Sequence, residues 1–308
     1  MPAQKKIAFL AIFTTYLIWG LTIPIIKLAL QGFPPFTLVF LRFTLAALLL
    51  APIYFFDEIH KPLDKKDLPK LVIIAFFGPF LSNTLFYFGI SKTAANNAAI
   101  IEALLPIAII LGAYFLLKEK LNFSSLFGIL LAFIGVLIIT AQPTMSSLGS
   151  VIKADPFGNL LILASVFSWA IFSLGSKELF AKYTYFTIIA FSFLVAIIFV
   201  FPLALLEFFI LPTWVENLNP QSLASLGFIV IFSSVLAYLF YEWGLSKIES
   251  KISGAIAYVQ PIFAIIAAYF ILGEKITPFF LASTSLIFLG LFLTTRQFPQ
   301  IHHQRHKI

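Results

Sequence analysis

The sequence contains no cysteine and few charged residues. The absence of cysteine among 308 residues excludes disulfide bonds, thiolate nucleophiles and cysteine-ligated metals. Charged residues make up only 11% of the chain, against about 25% in a typical soluble protein. The HExxH zinc motif, the phosphate-binding P-loop and the GxSxG nucleophile motif are also absent. We therefore expect neither an enzyme nor a resident cofactor or metal, and no ATP-driven activity.

Apolar residues dominate the remainder. They form 61% of the chain, including 38 phenylalanines, and the mean hydropathy is +1.03. A bilayer core about 30 Å thick requires roughly 20 apolar residues per helix, and the continuous apolar runs of this sequence have about that length. The sequence predicts an all-α integral membrane protein with ten transmembrane helices, near residues 7–27, 34–56, 68–90, 93–117, 122–141, 157–177, 183–207, 221–246, 252–272 and 277–296.

Lysine and arginine are distributed unevenly among the predicted connections. With the N-terminus inside, about fifteen of them fall on the inner side and four on the outer side, while Arg42 lies within a span. Because cytoplasmic loops retain positive charge, we predict a multi-pass protein of the cytoplasmic (inner) membrane with both termini cytoplasmic. The net charge of +7 then reflects loop anchoring in the lipid bilayer, and no nucleic-acid partner is expected. No cleavage site follows Lys5 and Lys6, so the first helix is predicted to be retained.

The two halves of the chain resemble each other. Gly89-Ile90-Ser91-Lys92 recurs 155 residues later as Gly244-Leu245-Ser246-Lys247, and an offset of 150 relates Trp19 to Trp169. Each half holds five predicted spans, an odd number, so the second copy must be inverted in the membrane. The predicted units are 7–141 and 157–296, joined by an extracytoplasmic linker at 142–156 and followed by a basic cytoplasmic tail at 297–308. Inverted repeats are typical of secondary transporters.

The repeated residues also resemble a known family. The marks are Trp19-Gly20, Lys27, Arg42-Phe43, Pro106, Glu119 and Gly135, repeated as Trp169, Lys177, Pro261, Gly273-Glu274 and Gly290. In this order the chain resembles the EamA family of the drug/metabolite transporter superfamily over nearly its whole length. The resemblance implies a ten-helix fold with a central cavity that opens alternately to each side, and substrates such as amino acids, their derivatives and other small metabolites, often exported. Three positions depart from the family pattern, namely Lys118, Ala170 and Ser192.

Two charged residues fall deep within predicted spans. Arg42 and Glu102 lie roughly 12–14 Å from the outer ends of their helices, at 1.5 Å per residue. A charge at the bilayer centre costs at least about 2.5–3.5 kcal/mol, so both residues require an explanation. Glu102 is a candidate for binding a cationic group or a proton, and Arg42 for binding a carboxylate or balancing Glu102. The alternative is a structural ion pair between them.

Polar and aromatic residues within the spans are candidates for lining a cavity. They are Trp19, Thr22, Asn83, Tyr87, Trp169, Ser173, Tyr238, Tyr241, Tyr258 and Gln260. Tyr87 and Tyr241 lie near predicted span ends, where a role in the interfacial aromatic belt is favoured.

Several other residues have predicted structural roles. Pro24, Pro106 and Pro261 lie within spans; the last two are equivalent in the repeat and are candidates for paired gating bends, with static kinks as the alternative. Lys27 and Lys177 are predicted to anchor at the interface by snorkelling. Glu119 and Glu274 are predicted to cap helices or form local ion pairs.

We therefore expect a secondary transporter that moves amino acids or related polar compounds by alternating access, in the export direction. Coupling to a proton or a counter-solute is expected because the chain lacks a P-loop. The alternative within transport is efflux of drugs or cationic compounds, and a remote alternative is an intramembrane enzyme or receptor. Both a monomer and a homodimer are compatible with the sequence.

Overall fold

The computed structural model describes residues 3–56, 63–117, 123–140, 143–145, 151–153, 155–180, 182–248 and 256–295. Outside these ranges lie residues 57–62 of the charged connection, Glu119, residues 142, 146–150 and 154 of the linker, and the tail at 297–308. The side chain of Lys177 is not described either.

The described chain is helical apart from one short hairpin. The first half forms α1 (Ala3–Ala29), α2 (Pro35–Phe56), α3 (Leu68–Ala75), α4 (Asn83–Lys92), α5 (Ala95–Glu102), α6 (Leu105–Leu117) and α7 (Phe123–Thr140). A π-helix, π1 (Phe76–Ser82), joins α3 to α4. The linker contributes the antiparallel strands β1 (Pro143–Met145) and β2 (Val151–Lys153).

The described helices of the second half follow in a similar order. It forms α8 (Pro156–Leu179), α9 (Tyr185–Ile210), α10 (Pro220–Phe228), α11 (Ala237–Lys247), α12 (Val259–Leu272) and α13 (Pro278–Thr295). A 3-10 turn (Trp214–Asn217) precedes α10, and a second π-helix, π2 (Ile229–Leu236), joins α10 to α11.

The helices coincide with the apolar runs of the sequence. Among the described residues, seven helical stretches are long and apolar enough to cross a membrane, and three further apolar helices have 10–17 residues. Large apolar side chains also cover the outside: Phe115, Phe123 and Phe270 are each more than 70% exposed. Such a surface is unfavourable in water and suits lipid. The prediction of a helical membrane protein is confirmed, whereas the β1–β2 hairpin was not predicted.

Local sequence signals explain several helix ends. Asp155 caps α8 by accepting the amide hydrogen of Phe157, and Asn219 forms a capping box with Ser222 at the start of α10. α12 ends at Gly273, whose φ of 64° places it in the left-handed region that favours glycine.

Two helical spans break just before a proline. α5 ends at Glu102, and α6 begins at Leu105, one residue before Pro106. The equivalent break precedes Pro261, because residues 257–258 form a turn before α12. A proline has no amide hydrogen for the carbonyl four residues earlier, so the two kinks predicted here are present. Pro24, by contrast, lies inside an uninterrupted α1.

The π-helices also occupy equivalent places. An offset of 155 carries π1 onto residues 231–237, which overlap π2 (Ile229–Leu236). Pro79 lies within π1 and cannot donate a backbone hydrogen bond. In π2 the Ser234 hydroxyl donates to the carbonyl oxygen of Ile229, five residues earlier, at 2.9 Å.

Positions related by the repeat make reciprocal contacts. A Cβ atom on Gly128 would lie 2.4 Å from the carbonyl oxygen of Gly290, and one on Gly135 would lie 2.8 Å from that of Ser283. The offset of 155 relates Gly128 to Ser283 and Gly135 to Gly290, so the two contacts exchange partners. α7 and α13 therefore pack closely through small residues.

Candidate functional site

A central cavity lies where helices from both halves converge. Space not filled by protein atoms amounts to about 590 Å³ here, and part of it is open to solvent. Its lining residues come from seven stretches of the chain and are Trp19, Thr22, Ile23, Ile26, Arg42, Ser82, Asn83, Phe86, Tyr87, Glu102, Leu105, Trp169, Ser233, Tyr238 and Gln260.

Arg42 supplies a buried positive charge to this cavity. It is 3% exposed, and its Nε donates to the Ser234 hydroxyl at 3.0 Å. Its Nη1 donates to the Asn83 amide oxygen at 2.9 Å and to the Tyr87 hydroxyl at 2.6 Å. The guanidinium carbon also lies 4.7 Å from the centre of the Phe43 ring. These neutral acceptors fix the guanidinium in place without neutralising it.

Glu102 supplies an acidic group to the same cavity. Glu102 is the last residue of α5, and its carboxyl group lies within hydrogen-bonding reach of the Gln260 and Ser165 side chains. No ion pair joins Glu102 to Arg42, although both residues are described and both line the cavity. The structural ion pair considered from the sequence is therefore not formed. A basic and an acidic group are instead both available to a molecule in the cavity.

Aromatic rings pack together at the cavity wall. The rings of Trp19 and Trp169, which are equivalent in the repeat, meet edge to face with centroids 5.4 Å apart. Tyr238 and Tyr241 pack against both tryptophans. A hydrogen bond also holds the cluster in place. The Trp19 indole donates to the carbonyl oxygen of Ser233 at 3.2 Å.

The repeat-related pair Asn83 and Tyr238 also meets here. The Asn83 amide donates to the Tyr238 hydroxyl, at a nitrogen–oxygen distance of 3.4 Å. A weak bond of this length joins the first half to the second beside Arg42.

The cavity contains most, but not all, of the side chains predicted to line it. Ser173 instead shares a hydrogen bond of 2.8 Å with the Tyr241 hydroxyl, behind the aromatic cluster. Tyr258 lies in the turn before α12, with its ring 6.3 Å from that of Phe288. These two residues do not line the cavity.

The interfacial belt role favoured for Tyr87 and Tyr241 is wrong. Each is only 1% exposed. Tyr87 binds Arg42, and Tyr241 packs in the aromatic cluster. Nearness to a span end did not indicate exposure, because neighbouring helices cover both rings.

The snorkelling role predicted for Lys27 is also wrong. Its ammonium group donates to the carbonyl oxygens of Ile90 at 3.2 Å and Thr93 at 2.6 Å, at the C-terminal end of α4. Cations are favoured there because helix carbonyls converge.

Glu274 caps α5, and this agrees with the capping role predicted for Glu274. Its two oxygens accept the amide hydrogens of Ala95 and Asn96, each at 2.8 Å, at the start of α5. Burial raises the pKa of Glu274, while the two amide donors and the Lys27 charge oppose that rise. Lys27 of α1 and Glu274 of the α12–α13 connection thus hold the α4–α5 turn from two distant parts of the chain.

Sequence reasoning missed several residues that the structure brings forward. Ile23, Ile26, Ser82, Phe86, Leu105 and Ser233 line the cavity. Glu242 in α11 is fully buried and was not singled out, although it is an acid within an otherwise apolar stretch and the 155 offset pairs it with Tyr87.

Comparison with known proteins gives a consistent result. Residues 6–141 and 156–296 each match the EamA-like transporter family. An uncharacterized transporter of Archaeoglobus fulgidus is 31% identical over 91% of this chain and 94% of its own length. The uncharacterized transporter YetK of Bacillus subtilis is 30% identical over 93% of this chain and 86% of its own. A protein of Salmonella typhimurium named a probable amino-acid metabolite efflux pump is 27% identical over 94% and 95%, respectively.

The fold also has a counterpart among solved structures. One crystal structure superposes with a TM-score of 0.63 at 19% identity, and it covers 94% of this chain and 96% of its own.

Proposed function

Because the chain belongs to the EamA-like transporter family, we propose that it exports amino acids or related polar metabolites through its central cavity by alternating access. Membership of the family makes the chain a multi-pass membrane transporter rather than an enzyme. The observation that carries the proposal is a pair of groups in the cavity, the Arg42 guanidinium and the Glu102 carboxyl, neither of which forms an ion pair among the described residues. The direction of transport follows the name of the Salmonella typhimurium relative.

The two groups suit the two ends of an amino acid. A guanidinium offers paired donors to a carboxylate, and a carboxylate accepts hydrogen bonds from an ammonium group. Gln260, beside Glu102, adds an amide to the same wall. The aromatic rings of Trp19, Trp169 and Tyr238 then provide apolar area for a side chain.

The proposed architecture is ten transmembrane helices in two inverted five-helix repeats, 7–141 and 157–296, with an extracytoplasmic linker at 142–156. The reciprocal Gly128–Gly290 and Gly135–Ser283 contacts support this arrangement. We propose that the protein lies in the cytoplasmic (inner) membrane with both termini, including the tail at 297–308, in the cytoplasm. Lys and Arg concentrate in the connections on the same side as the N-terminus, and cytoplasmic loops retain positive charge.

Alternating access requires segments that bend. The breaks before Pro106 and Pro261 and the π-helices π1 and π2 lie at equivalent places in the two halves. Glu102 and Gln260 lie beside the two breaks. Bending at the prolines would therefore move the acidic wall of the cavity, and this supports a gating role for them.

A second candidate is efflux of cationic compounds. The aromatic cluster with Glu102 is favourable for a cation, and a cation without a carboxylate would leave Arg42 unused. Arg42 therefore discriminates between the two candidates.

Metabolite profiling of cells with and without the protein tests the proposal. We expect amino-acid-like compounds to be enriched in the medium only when the intact protein is made, and Glu102→Gln to abolish that enrichment. Glu216→Gln, at an exposed position in the 3-10 turn, is the matched control and should behave as the intact protein.

Two other outcomes are informative. Export of ethidium without any amino-acid change, unaffected by Arg42→Ala, would replace the proposal with cation efflux. An unchanged medium in all strains would refute export.

A further inference from the structure

Glu242 lies in α11 with its side chain completely buried. In the described part of the chain, neither carboxyl oxygen has a hydrogen-bond partner and neither takes part in an ion pair. α11 belongs to the membrane-spanning stretch Pro220–Lys247. Burial of an unpaired carboxylate costs far more free energy than burial of a neutral polar group without a partner. The carboxyl group is therefore protonated in this conformation.

The surroundings of Glu242 contain phenols rather than cations. α11 packs against α1, α9 and π2. On its own helix Glu242 is near Tyr238 and Tyr241, and from α1 the ring of Tyr16 lies 6.2 Å from that of Tyr241. π2 carries no titratable residue, and Arg42, which binds Ser234 of π2, forms no ion pair with Glu242.

The remaining titratable groups of the two packed helices lie towards the helix ends. α9 carries Tyr185 at its start and Glu207 in its last turn, where Glu207 accepts the amide hydrogens that open α2. The lysines of α1 lie at its two ends, and Lys27 is bound to the α4–α5 turn. Among the described residues, no basic partner therefore holds Glu242 in its ionised form.

Glu242 is linked mechanically to the cavity. Tyr238, one helical turn earlier on α11, lines the cavity and packs against Trp19 and Trp169. π2 ends immediately before α11, and such segments interrupt the regular hydrogen-bond ladder of a helix. A movement of α11 about π2 would displace the Tyr238 wall and the Glu242 carboxyl together.

The repeat shows that this acid is a feature of one half only. The offset of 155 pairs Glu242 with Tyr87, whose hydroxyl binds Arg42, and the offset of 150 pairs Arg42 with Ser192. The first half thus has the Arg42 guanidinium and the Tyr87 phenol at these positions. The second half has the Ser192 hydroxyl and the Glu242 carboxyl. Packing alone does not require an acid at a position that a phenol fills in the other half.

We propose that Glu242 is the proton-binding site that couples this transporter to a proton gradient. The proposal rests on the transport function proposed above. In the conformation seen here the carboxyl holds its proton. When α11 moves and water reaches the group from the cytoplasm, the O–H bond breaks and the proton passes to water. The carboxylate later takes a proton from water on the opposite side, and no electron or other group is transferred. In an exporter the proton then moves inward as the substrate moves outward.

Infrared difference spectroscopy of the purified full chain in lipid nanodiscs tests proton binding without any substrate. The spectrum of the intact protein minus that of Glu242→Gln should contain the carbonyl band of a protonated carboxyl at neutral pH. That band should shift in D₂O and should disappear on titration to alkaline pH. Absence of the band, or a band that no titration removes, would overturn the inference.

Transport in proteoliposomes supplies the second readout. With an acid interior, vesicles of the intact protein should accumulate a ¹⁴C-labelled mixture of the protein amino acids, and Glu242→Gln should lose at least tenfold of this gradient-driven accumulation. Glu216→Gln should retain it. Equal accumulation by Glu242→Gln and the intact protein would also overturn the inference. Failure of the intact protein to move any amino acid would instead count against the proposed function, while the infrared result would still decide whether Glu242 binds a proton.

A stability measurement guards against misfolding of the variant. Because Glu242 has no partner in the part of the chain that the structure describes, Glu242→Leu should be neutral or stabilising in equilibrium unfolding. Marked destabilisation by Leu would indicate that the acid serves packing, contrary to the proposal.

Discussion

The contact of Glu274 with the start of α5 predicts a large and specific loss of stability. Glu274 lies in the α12–α13 connection, 3% exposed, and its carboxylate accepts hydrogen bonds from Ala95 and Asn96 at 2.8 Å each. Glu274→Ala leaves two buried amide donors without a partner, at about 1–3 kcal/mol each. It also removes a negative charge from a helix N-terminus, which contributes about 0.3–1 kcal/mol. Allowing for local relaxation, we expect unfolding to become easier by about 2–5 kcal/mol.

Equilibrium unfolding in mixed detergent micelles measures this difference. Glu274→Gln keeps one acceptor oxygen and should lose about half as much as the alanine variant. Glu216→Ala, on the surface, should change stability by no more than about 0.5 kcal/mol. A loss below about 1 kcal/mol for Glu274→Ala would refute the claim that this carboxylate stabilises the α4–α5 turn.

Three further outcomes follow from described contacts. Arg42→Lys removes the planar fork that binds a carboxylate, and the loss of one charged hydrogen bond at about 1.5–3 kcal/mol should slow amino-acid counterflow by roughly tenfold or more. Gly128→Ala places a methyl group 2.4 Å from the Gly290 carbonyl oxygen, so unfolding should become easier by about 1–3 kcal/mol. The Tyr183 hydroxyl donates to Asp67 at 2.7 Å and is the main reason that the pKa of Asp67 is lowered. A lowered pKa contributes stability above the ordinary carboxyl pKa that is lost as pH falls through the folded value. Tyr183→Phe should therefore raise the pKa of Asp67 in ¹³C NMR of labelled aspartate, and acidification should cost the variant less stability than the intact protein.

The helices could be predicted from the sequence because their cause is local. Bilayer thickness sets the length of an apolar run, and prolines and caps such as Asn219 mark where runs begin or bend. The predicted span of 34–56 therefore compares with an observed helix of Pro35–Phe56. The π-helices could not be predicted in this way, since nearly every position around Ile229–Leu236 is apolar and no periodic signal distinguishes the two helix types.

The site was harder to predict because its contacts join distant segments. Lys27 has the composition and position of an interfacial anchor, yet the α4 carbonyls it binds are more than 60 residues away. Tyr241 lies near a span end but is covered by Tyr16 and Trp19 from the first helix. Depth along a helix can be counted from the sequence, whereas the face covered by a neighbour depends on packing.

Glu242 shows which part of the repeat carries information about function. The search for repeats relied on positions where the halves agree, such as Trp19 and Trp169, and these positions describe the shared fold. The charged residues around the cavity stand where the halves differ: Arg42 is paired with Ser192, Glu102 with Ala257, and Tyr87 with Glu242. If the two halves exchange conformations, a shared residue experiences both environments equally, whereas a residue present in one half distinguishes the outward-open state from the inward-open state. Such an asymmetric group can bind a proton in one state and release it in the other. We therefore propose the unmatched acids, Glu102 and Glu242, as the positions at which substrate and proton binding are coupled to the direction of opening.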